Sequence, residues 1–326
     1  MSAKRRKVRI LWGRVFIAVF IVAILIIVII TVFPDKSEKP STSSSNTQSM
    51  NSSDSSLSSV DNTINANYDF KEFDASQINK GNLILVNGDN KFLADAPDDL
   101  VTVYSKKTKS YQTKDAQVSL KPEVITALNK MADDFFNAKN NNSLMVISGY
   151  RTFARQQELY DAELKRTGLI TSNLVALPGH SEHHTGYAVD FGIYPTNGVT
   201  KEFDGTGDFS WIDENSYKYG FVVRYRKEKA GITKIDNEPW HFRYVGQPHA
   251  YIMQQKNLSL EEYIDYLRQF EFGRNNLEAK GADGADYEIY YVKSTSLMTK
   301  VPVPKKHEYS VSGNNVDGFI VTVKLS

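Results

Sequence analysis

A long apolar run lies near the start of the chain. From Val15 to Phe33 almost every residue is apolar. At 1.5 Å each, about 19 helical residues match the roughly 30 Å hydrocarbon core of a bilayer. Positive charge lies before the run, which favours a cytoplasmic N-terminus. A cleaved signal peptide is the alternative, but the run is long and no A-x-A-like site follows it. We predict a cytoplasmic segment at 1–14 and a single-pass transmembrane anchor at 15–34.

The pattern then changes from a spacer to a packed region. Residues 35–66 are rich in Ser and Asn and have few side chains that could pack, which predicts a disordered linker on the extracellular side. Ordered patterning begins near Tyr68. We predict a main domain at 67–272 and a small β-rich appendage at 273–326.

Within the main domain the apolar spacing predicts alternating short strands and helices. Pro122 opens a helix with apolar residues at helical spacing, and a second helix at 153–167 has Thr152 as N-cap and Gly168 as its stop. A capping box at Ser259 opens another helix. The remaining patterns predict a helix at 210–219 and strands at 83–86, 144–147, 187–191, 221–225 and 241–245. Together they predict an α+β fold in which flanking helices cover a small central antiparallel sheet.

Net charge and cysteine content restrict the partners and the metal ligands that the chain could have. The formal net charge is +1, and six cations without an acid lie in residues 1–34, so the rest of the chain carries +1 − 6 = −5. A mildly acidic domain argues against nucleic acid as a partner, since phosphate binding needs a clustered basic face. The chain has no cysteine. A metal site would therefore use His, Asp or Glu.

Four of the six histidines lie in two short segments. In the first, a strand from Tyr187 would place Tyr187 and Val189 on a core face and Asp190 on the opposite face. Asp190 would then project beside very small residues. Gly186 permits a turn that could return His183 towards Asp190. The alternative is that Asp190 only caps a loop and that His183 is an exposed loop histidine.

The second segment surrounds His241. Pro239 keeps Glu238 out of helical backbone, and His241 begins a strand. A catalytic zinc uses three protein ligands and leaves one position open. His183, Asp190 and His241 could supply that set, with Glu238 nearby as a base. Their spacing follows no rule as tight as H-E-x-x-H, so the residues alone give only a moderate signal.

These segments resemble the signature of the VanY-type D-alanyl-D-alanine carboxypeptidases, zinc peptidases grouped with lysostaphin-like enzymes and the hedgehog fold. The resemblance covers roughly Leu83 to Phe270 and includes Ser-Gly-Tyr-Arg-Thr at 148–152. Its central motif is Ser181-x-His183-x-x-Gly186-x-Ala188-x-Asp190, followed by Glu238-x-x-His241.

The resemblance implies a role for each matching residue. One zinc ion per chain would be held by His183, Asp190 and His241, with Glu238 as catalytic base. Arg151 would lie beside the metal as a second catalytic residue, where it would stabilise an oxyanion or hold the substrate's terminal carboxylate.

Other polar and aromatic residues complete the predicted site or lie outside it. Ser181 and Gln156 are implied as substrate-binding residues. We also assign Trp240 to the pocket wall, although a core position suits it equally well. His184 is predicted to point away from the metal, and the surface or loop histidines are predicted to be His180, His249 and His307.

We therefore expect a membrane-anchored, extracellular zinc carboxypeptidase that removes terminal D-alanine from peptidoglycan stem peptides or their precursors. With the same chemistry, it could instead be an L,D-carboxypeptidase or an endopeptidase. Two other classes are a non-catalytic cell-wall-binding module and a partner-binding protein that acts through 273–326. The complete ligand set and Glu238 argue against a binding module, which needs no base.

Overall fold

The computed structural model describes residues 67–195 and 199–326. The predicted cytoplasmic segment at 1–14, anchor at 15–34 and linker at 35–66 lie outside these residues. Among the described residues, every helix is too short or too polar to cross a bilayer.

Short strands and helices are interspersed from Tyr68 to Leu267, and strands alone follow from Leu277 to Lys324. The strands are β1 (Tyr68–Asp74), β2 (Val101–Thr102), β3 (Gln112–Thr113), β4 (Ser119–Leu120), β5 (Leu144–Ser148), β6 (Ala188–Ile193), β7 (Lys201–Glu202), β8 (Phe221–Tyr225), β9 (Glu238–Tyr244), β10 (Leu277–Lys280), β11 (Asp286–Lys293), β12 (Met298–Pro304), β13 (Glu308–Gly313) and β14 (Gly318–Lys324). The α-helices are α1 (Val103–Lys106), α2 (Pro122–Lys139), α3 (Phe153–Thr167), α4 (Ser210–Asn215), α5 (Ala230–Thr233), α6 (His249–Lys256) and α7 (Leu260–Leu267).

A central sheet carries the middle of the fold. Its order is β3-β5-β6-β9-β8, with β7 paired to β6. All of these pairs are antiparallel except β3 with β5. The predicted α+β class with a central, mainly antiparallel sheet and flanking helices is thus observed. The strands at the centre, β6 and β9, are the two that carry Asp190 and His241.

Helix α2 covers one face of this sheet because its apolar residues form one stripe. Pro122 occupies the first turn, and Asn140 ends the helix in the left-handed conformation with φ of 52°. The stripe shares a core with Val189, Phe191 and Phe242 of the central strands. Its buried members are Val124, Ile125, Leu128, Met131, Ala132 and Phe135.

Helix α3 begins and ends where the sequence predicts. The Thr152 hydroxyl accepts a hydrogen bond from the Arg155 N–H at 3.1 Å, and Gly168 ends the helix with φ of 71°.

The predicted helix at 210–219 is instead α4 followed by a 3-10 turn, Ser216–Tyr219. Gly220 ends this turn with φ of 86°.

One predicted strand is wrong. Residues 83–86 are buried as expected, but they lie outside the strands. Their backbone groups bond to side chains and to a loop: the Leu83 N–H donates to Ser312 Oγ at 3.0 Å, and the Leu85 N–H donates to the Asn314 carbonyl at 3.1 Å. An apolar run bounded by a turn resembles a strand in sequence even when its backbone groups bond to a side chain and a loop instead of forming a strand ladder.

The C-terminal residues are β-rich, as predicted. A sheet of order β10-β11-β14-β13 follows α7, and β12 pairs with β1. Ile289 and Ile320 of this sheet share one core with Leu260 and Ile264 of α7 and with Val245 beside β9. The boundary predicted at 272/273 remains a prediction, and strand pairing and core packing both cross it.

Candidate active site

The three predicted metal ligands come from two adjacent strands and one turn. Asp190 in β6 lies directly opposite His241 in β9, so the two side chains share a face. His183 lies in a 3-10 turn, Glu182–Thr185, that precedes β6. Gly186 ends this turn with φ of 75°, a conformation that favours glycine. The turn predicted from Gly186 is confirmed, and it returns His183 to Asp190.

The three side chains converge on one point. His183 Nε2 lies 3.1 Å from Asp190 Oδ2, and His241 Nδ1 lies 2.8 Å from Asp190 Oδ1. One ligand atom from each residue lies within 4.8 Å of the others, and all three residues are buried. Two imidazole nitrogens and a carboxylate are the donor types of a catalytic zinc site. The donor set therefore fits a zinc ion.

Hydrogen bonds fix the orientation of His183. Its Nδ1 lies 2.6 Å from the Gly149 carbonyl, which can only accept a hydrogen bond. Nδ1 therefore carries the proton, and Nε2 presents its lone pair towards Asp190 and the common point. Metal-binding histidines typically donate their other ring N–H in this way.

His184 points away, as predicted. Its Nδ1 donates to the Arg151 carbonyl at 2.7 Å, and its Nε2 accepts the Gly179 N–H at 3.0 Å. The ring stacks on Phe153 with centroids 4.2 Å apart. Both ring nitrogens are thus used in holding the loops around the site.

Glu238 lies at the start of β9, beside the ligand cluster. Its Oε2 is 3.9 Å from His241 Nδ1. Burial, together with the nearby carboxylates of Asp190 and Glu182, raises the pKa of Glu238 to about 8. The carboxyl group lies beside the common point of the ligands, where it can exchange a proton with a water molecule bound there, which is the position of a general base.

Arg151 is held in place by three groups. Its guanidinium donates to Ser148 Oγ at 2.8 Å and to Gln156 Oε1 at 2.9 Å, and it lies 3.5 Å from Asp190 Oδ2. Gln156 also donates from Nε2 to the Ala176 carbonyl at 2.7 Å. The side chain of Gln156 thus orients Arg151. Its predicted contact with substrate stays a prediction.

A single cleft contains all eight predicted site residues. The cavity has a volume of about 370 Å³ and includes Ser181 and Trp240 in its wall. Trp240 is half-buried and also packs against the main core, so it occupies both positions that the sequence leaves open. Beyond the ligands the cleft continues along α3, past Leu159 and Glu163.

Two polar residues behave differently from the sequence-based expectation. His249 is buried rather than exposed, with Nδ1 at 2.8 Å from the Tyr263 hydroxyl and Nε2 at 2.9 Å from that of Thr322. Glu182 received no role from sequence, yet its Oε2 lies 3.4 Å from His241 Nε2. Its position between Ser181 and His183 was the available signal, because a charged residue inside a buried motif needs a partner.

Known proteins share this fold and this segment. The family model described as VanY: D-alanyl-D-alanine carboxypeptidase matches residues 117–247. A D-alanyl-D-alanine carboxypeptidase from Enterococcus faecium is 35% identical over 258 residues, which cover 78% of each chain. The bifunctional D-Ala-D-Ala dipeptidase and D-Ala-D-Ala carboxypeptidase VanXYC of Enterococcus gallinarum is 37% identical over 48% of this chain and 82% of its own.

A solved structure extends the similarity over most of the chain. The crystal structure of the vancomycin resistance D,D-dipeptidase VanXYg, in complex with a D-Ala-D-Ala phosphinate analog, superposes with a TM-score of 0.70 at 34% identity. The match covers 79% of this chain and 99% of that one. The chain therefore belongs to the VanY family of D-alanyl-D-alanine carboxypeptidases.

Proposed function

We propose that the chain is a zinc-dependent D-alanyl-D-alanine carboxypeptidase acting on peptidoglycan stem peptides that end in D-Ala-D-Ala. The observation that carries this proposal is the convergence of His183, Asp190 and His241, whose ligand atoms lie within 4.8 Å of one another. Glu238 and Arg151 line the same cleft. A wall-binding module would need neither the base nor the cluster of ligands.

Each of these residues has a defined part in peptide hydrolysis. A zinc ion held by the two imidazoles and Asp190 would polarise the scissile carbonyl and lower the pKa of water towards 7. The Glu238 carboxylate takes a proton from the attacking water and returns it to the leaving D-alanine amine. The guanidinium of Arg151 either stabilises the negative charge that develops on the carbonyl oxygen or holds the terminal carboxylate.

Burial of the site supports the roles proposed for Glu238 and Arg151. His183 and His241 are each less than a twentieth exposed, so charges in the site are weakly screened. Arg151 is preorganised by Ser148 and Gln156 before substrate arrives, which lowers the cost of orienting it in the transition state. Ser181 and Trp240 are proposed to contact the substrate from the wall of the cleft.

We also propose that residues 15–34 anchor the enzyme in the cell membrane with its catalytic domain outside. The apolar run, the preceding cations and the polar linker at 35–66 support this placement.

The activity can be tested with defined muropeptides. Purified chain is incubated with one muropeptide that ends in D-Ala-D-Ala and one that ends in a single D-Ala, with and without a chelator, and the products are weighed. We expect chelator-sensitive loss of one D-alanine from the first substrate. Cleavage of the second substrate alone would make the enzyme an L,D-carboxypeptidase, internal cleavage would make it an endopeptidase, and chelator-resistant activity would contradict the zinc mechanism.

The role of Glu238 is tested by Glu238→Gln, which keeps the shape of the side chain and removes its basicity. We expect bound zinc to stay near one ion per chain while kcat falls by at least about 10²-fold. Glu214→Gln is the matched control, because Glu214 is exposed and lies outside the cleft. A Glu238→Gln variant with near-normal kcat would remove this residue from the mechanism.

A further inference from the structure

A cluster of buried charges lies behind the candidate metal site. The side chains of Glu182, Arg224 and Arg243 are fully buried, and that of Glu261 is 13% exposed. Burying such groups is costly unless each is closely paired. Two glutamates and two arginines balance in charge, so the cluster can be stable away from water.

Both arginines bind the same oxygen of Glu182. Arg224 Nε and the Arg243 guanidinium each lie 2.8 Å from Glu182 Oε1. Arg243 is fixed in turn by the Asn82 and Ile84 carbonyls, each at 2.9 Å. These contacts hold the Glu182 carboxylate in one orientation.

The other oxygen of Glu182 faces a metal ligand. Glu182 Oε2 lies 3.4 Å from His241 Nε2, on the side of the ring opposite Asp190. A carboxylate held by two guanidiniums can only accept a hydrogen bond, so the facing ring nitrogen carries the proton. Nδ1, which lies 2.8 Å from Asp190 Oδ1, is the ring nitrogen that faces the common point of the ligands, so a proton held on Nε2 leaves Nδ1 able to bind a metal there.

We infer that Glu182 is a positioning residue for the metal site, which holds His241 in the Nε2-protonated form so that Nδ1 is free to bind zinc. This inference rests on the proposed function, because it assigns Glu182 a role towards the proposed zinc ion. His183 has the equivalent support from the Gly149 carbonyl. Both imidazoles of the site would thus be oriented by an acceptor behind them.

Glu261 offers a matched control within the same cluster. It pairs with Arg224 at 2.9 and 2.6 Å and also accepts a hydrogen bond from Asn87 at 3.0 Å. Its described hydrogen bonds do not include His241. Glu182→Gln and Glu261→Gln each remove one negative charge from the cluster, but only the first changes the group that faces the imidazole.

The test is zinc affinity, measured by competition with a chromogenic chelator on metal-free full-length protein. We expect Glu182→Gln to weaken zinc binding by about 10- to 100-fold, and Glu261→Gln to stay within about threefold of wild type. Equal affinities in the two variants would overturn the role of Glu182. Failure of the wild type itself to bind zinc would instead overturn the proposed function.

A second measurement is made on wild type, so it does not depend on whether the Glu182→Gln chain folds. In zinc-loaded wild type with ¹⁵N-labelled histidine, long-range proton–nitrogen spectra report which ring nitrogen of His241 carries the proton. The resonance is assigned by comparison with labelled Glu182→Asp, which keeps the charge but withdraws it from the ring. We expect the proton on Nε2. A proton on Nδ1 would contradict the inference.

Discussion

Asp190 is the residue on which the other site residues converge. Its two oxygens lie 2.8 Å from His241 and 3.1 Å from His183, and Arg151 lies 3.5 Å away. Burial raises the pKa of Asp190, but the two imidazoles, His183 first and then His241, outweigh it and hold this pKa well below its usual range. Asp190 is therefore ionised, as a metal ligand must be.

Arg151 differs from a simple positive charge because its guanidinium makes two oriented hydrogen bonds. Arg151→Lys keeps the charge but cannot reach Ser148 and Gln156 together in the same geometry. We expect kcat/KM for a D-Ala-D-Ala peptide to fall by about 10²- to 10³-fold with zinc content unchanged. Steady-state kinetics would also separate its two candidate roles: lost oxyanion stabilisation lowers kcat, whereas lost binding of the terminal carboxylate raises KM.

The neighbouring Arg155 provides the control for this substitution. It is exposed on α3 and pairs with Glu158 at 2.6 Å, outside the cleft. Arg155→Lys should leave both constants close to wild type. If Arg151→Lys were as active as Arg155→Lys, the guanidinium would have no special part in the reaction.

At the scale of elements, the sequence predicts best those helices and strands whose bounds are set by residues within the same segment. Helix α3 is bounded by Thr152 and Gly168, whose capping preferences act within one turn, and β8 has the predicted bounds. The predicted strand at 83–86 is wrong because strand pairing depends on distant residues, here Ser312 at the end of β13 and Asn314 just after it.

In the candidate site too, some features follow from the local sequence and others depend on residues far apart in the chain. The opposite faces of Tyr187 and Asp190 follow from strand periodicity, and Gly186 marks the turn that returns His183. The contact of Glu182 with His241 joins residues 59 positions apart, so the local motif indicates that Glu182 needs a partner but does not identify it. The precise ligand set came from family resemblance rather than from spacing.

His249 links three elements, α6, α7 and β14, through its bonds to Tyr263 and Thr322. Burial lowers the pKa of His249 from 6.5 to about 3, so the folded chain keeps it neutral. Between these values the unfolded chain binds a proton that the folded chain does not. The stability that His249 provides is therefore complete above pH 6.5 and is lost as the pH falls below it.

We predict that the unfolding free energy of His249→Gln depends less steeply on pH than that of the wild type. Between pH 5.5 and 4.5, the wild type should lose up to about 1.4 kcal/mol of unfolding free energy more than the variant. Urea unfolding with a chelator present measures this difference without a contribution from bound metal. His307→Gln serves as control, because His307 is exposed. Parallel curves for His249→Gln and wild type would show that this histidine does not contribute.

At the scale of the whole molecule, the C-terminal sheet and the catalytic region share structure. Strand β12 pairs with β1 along seven residue pairs, from Tyr68↔Pro304 to Asp74↔Met298. Ile320 is 1% exposed in the core that also contains Leu260 and Val245. Val245 directly follows β9, the strand of His241 and Glu238. Loss of this packing should therefore also destabilise β9, the strand that carries His241 and Glu238.

Ile320→Ala tests whether the two regions unfold together. The substitution leaves a cavity in the shared core and should lower stability by about 2–5 kcal/mol. Trp211 and Trp240 lie outside the C-terminal sheet, so their fluorescence reports on the catalytic region. Under cooperative unfolding, the fluorescence midpoint in urea falls in Ile320→Ala and is unchanged in Glu308→Ala, whose side chain is exposed on β13. An unchanged midpoint in Ile320→Ala would make residues 273–326 an independent appendage, because a cavity there would then leave the stability of the catalytic region untouched.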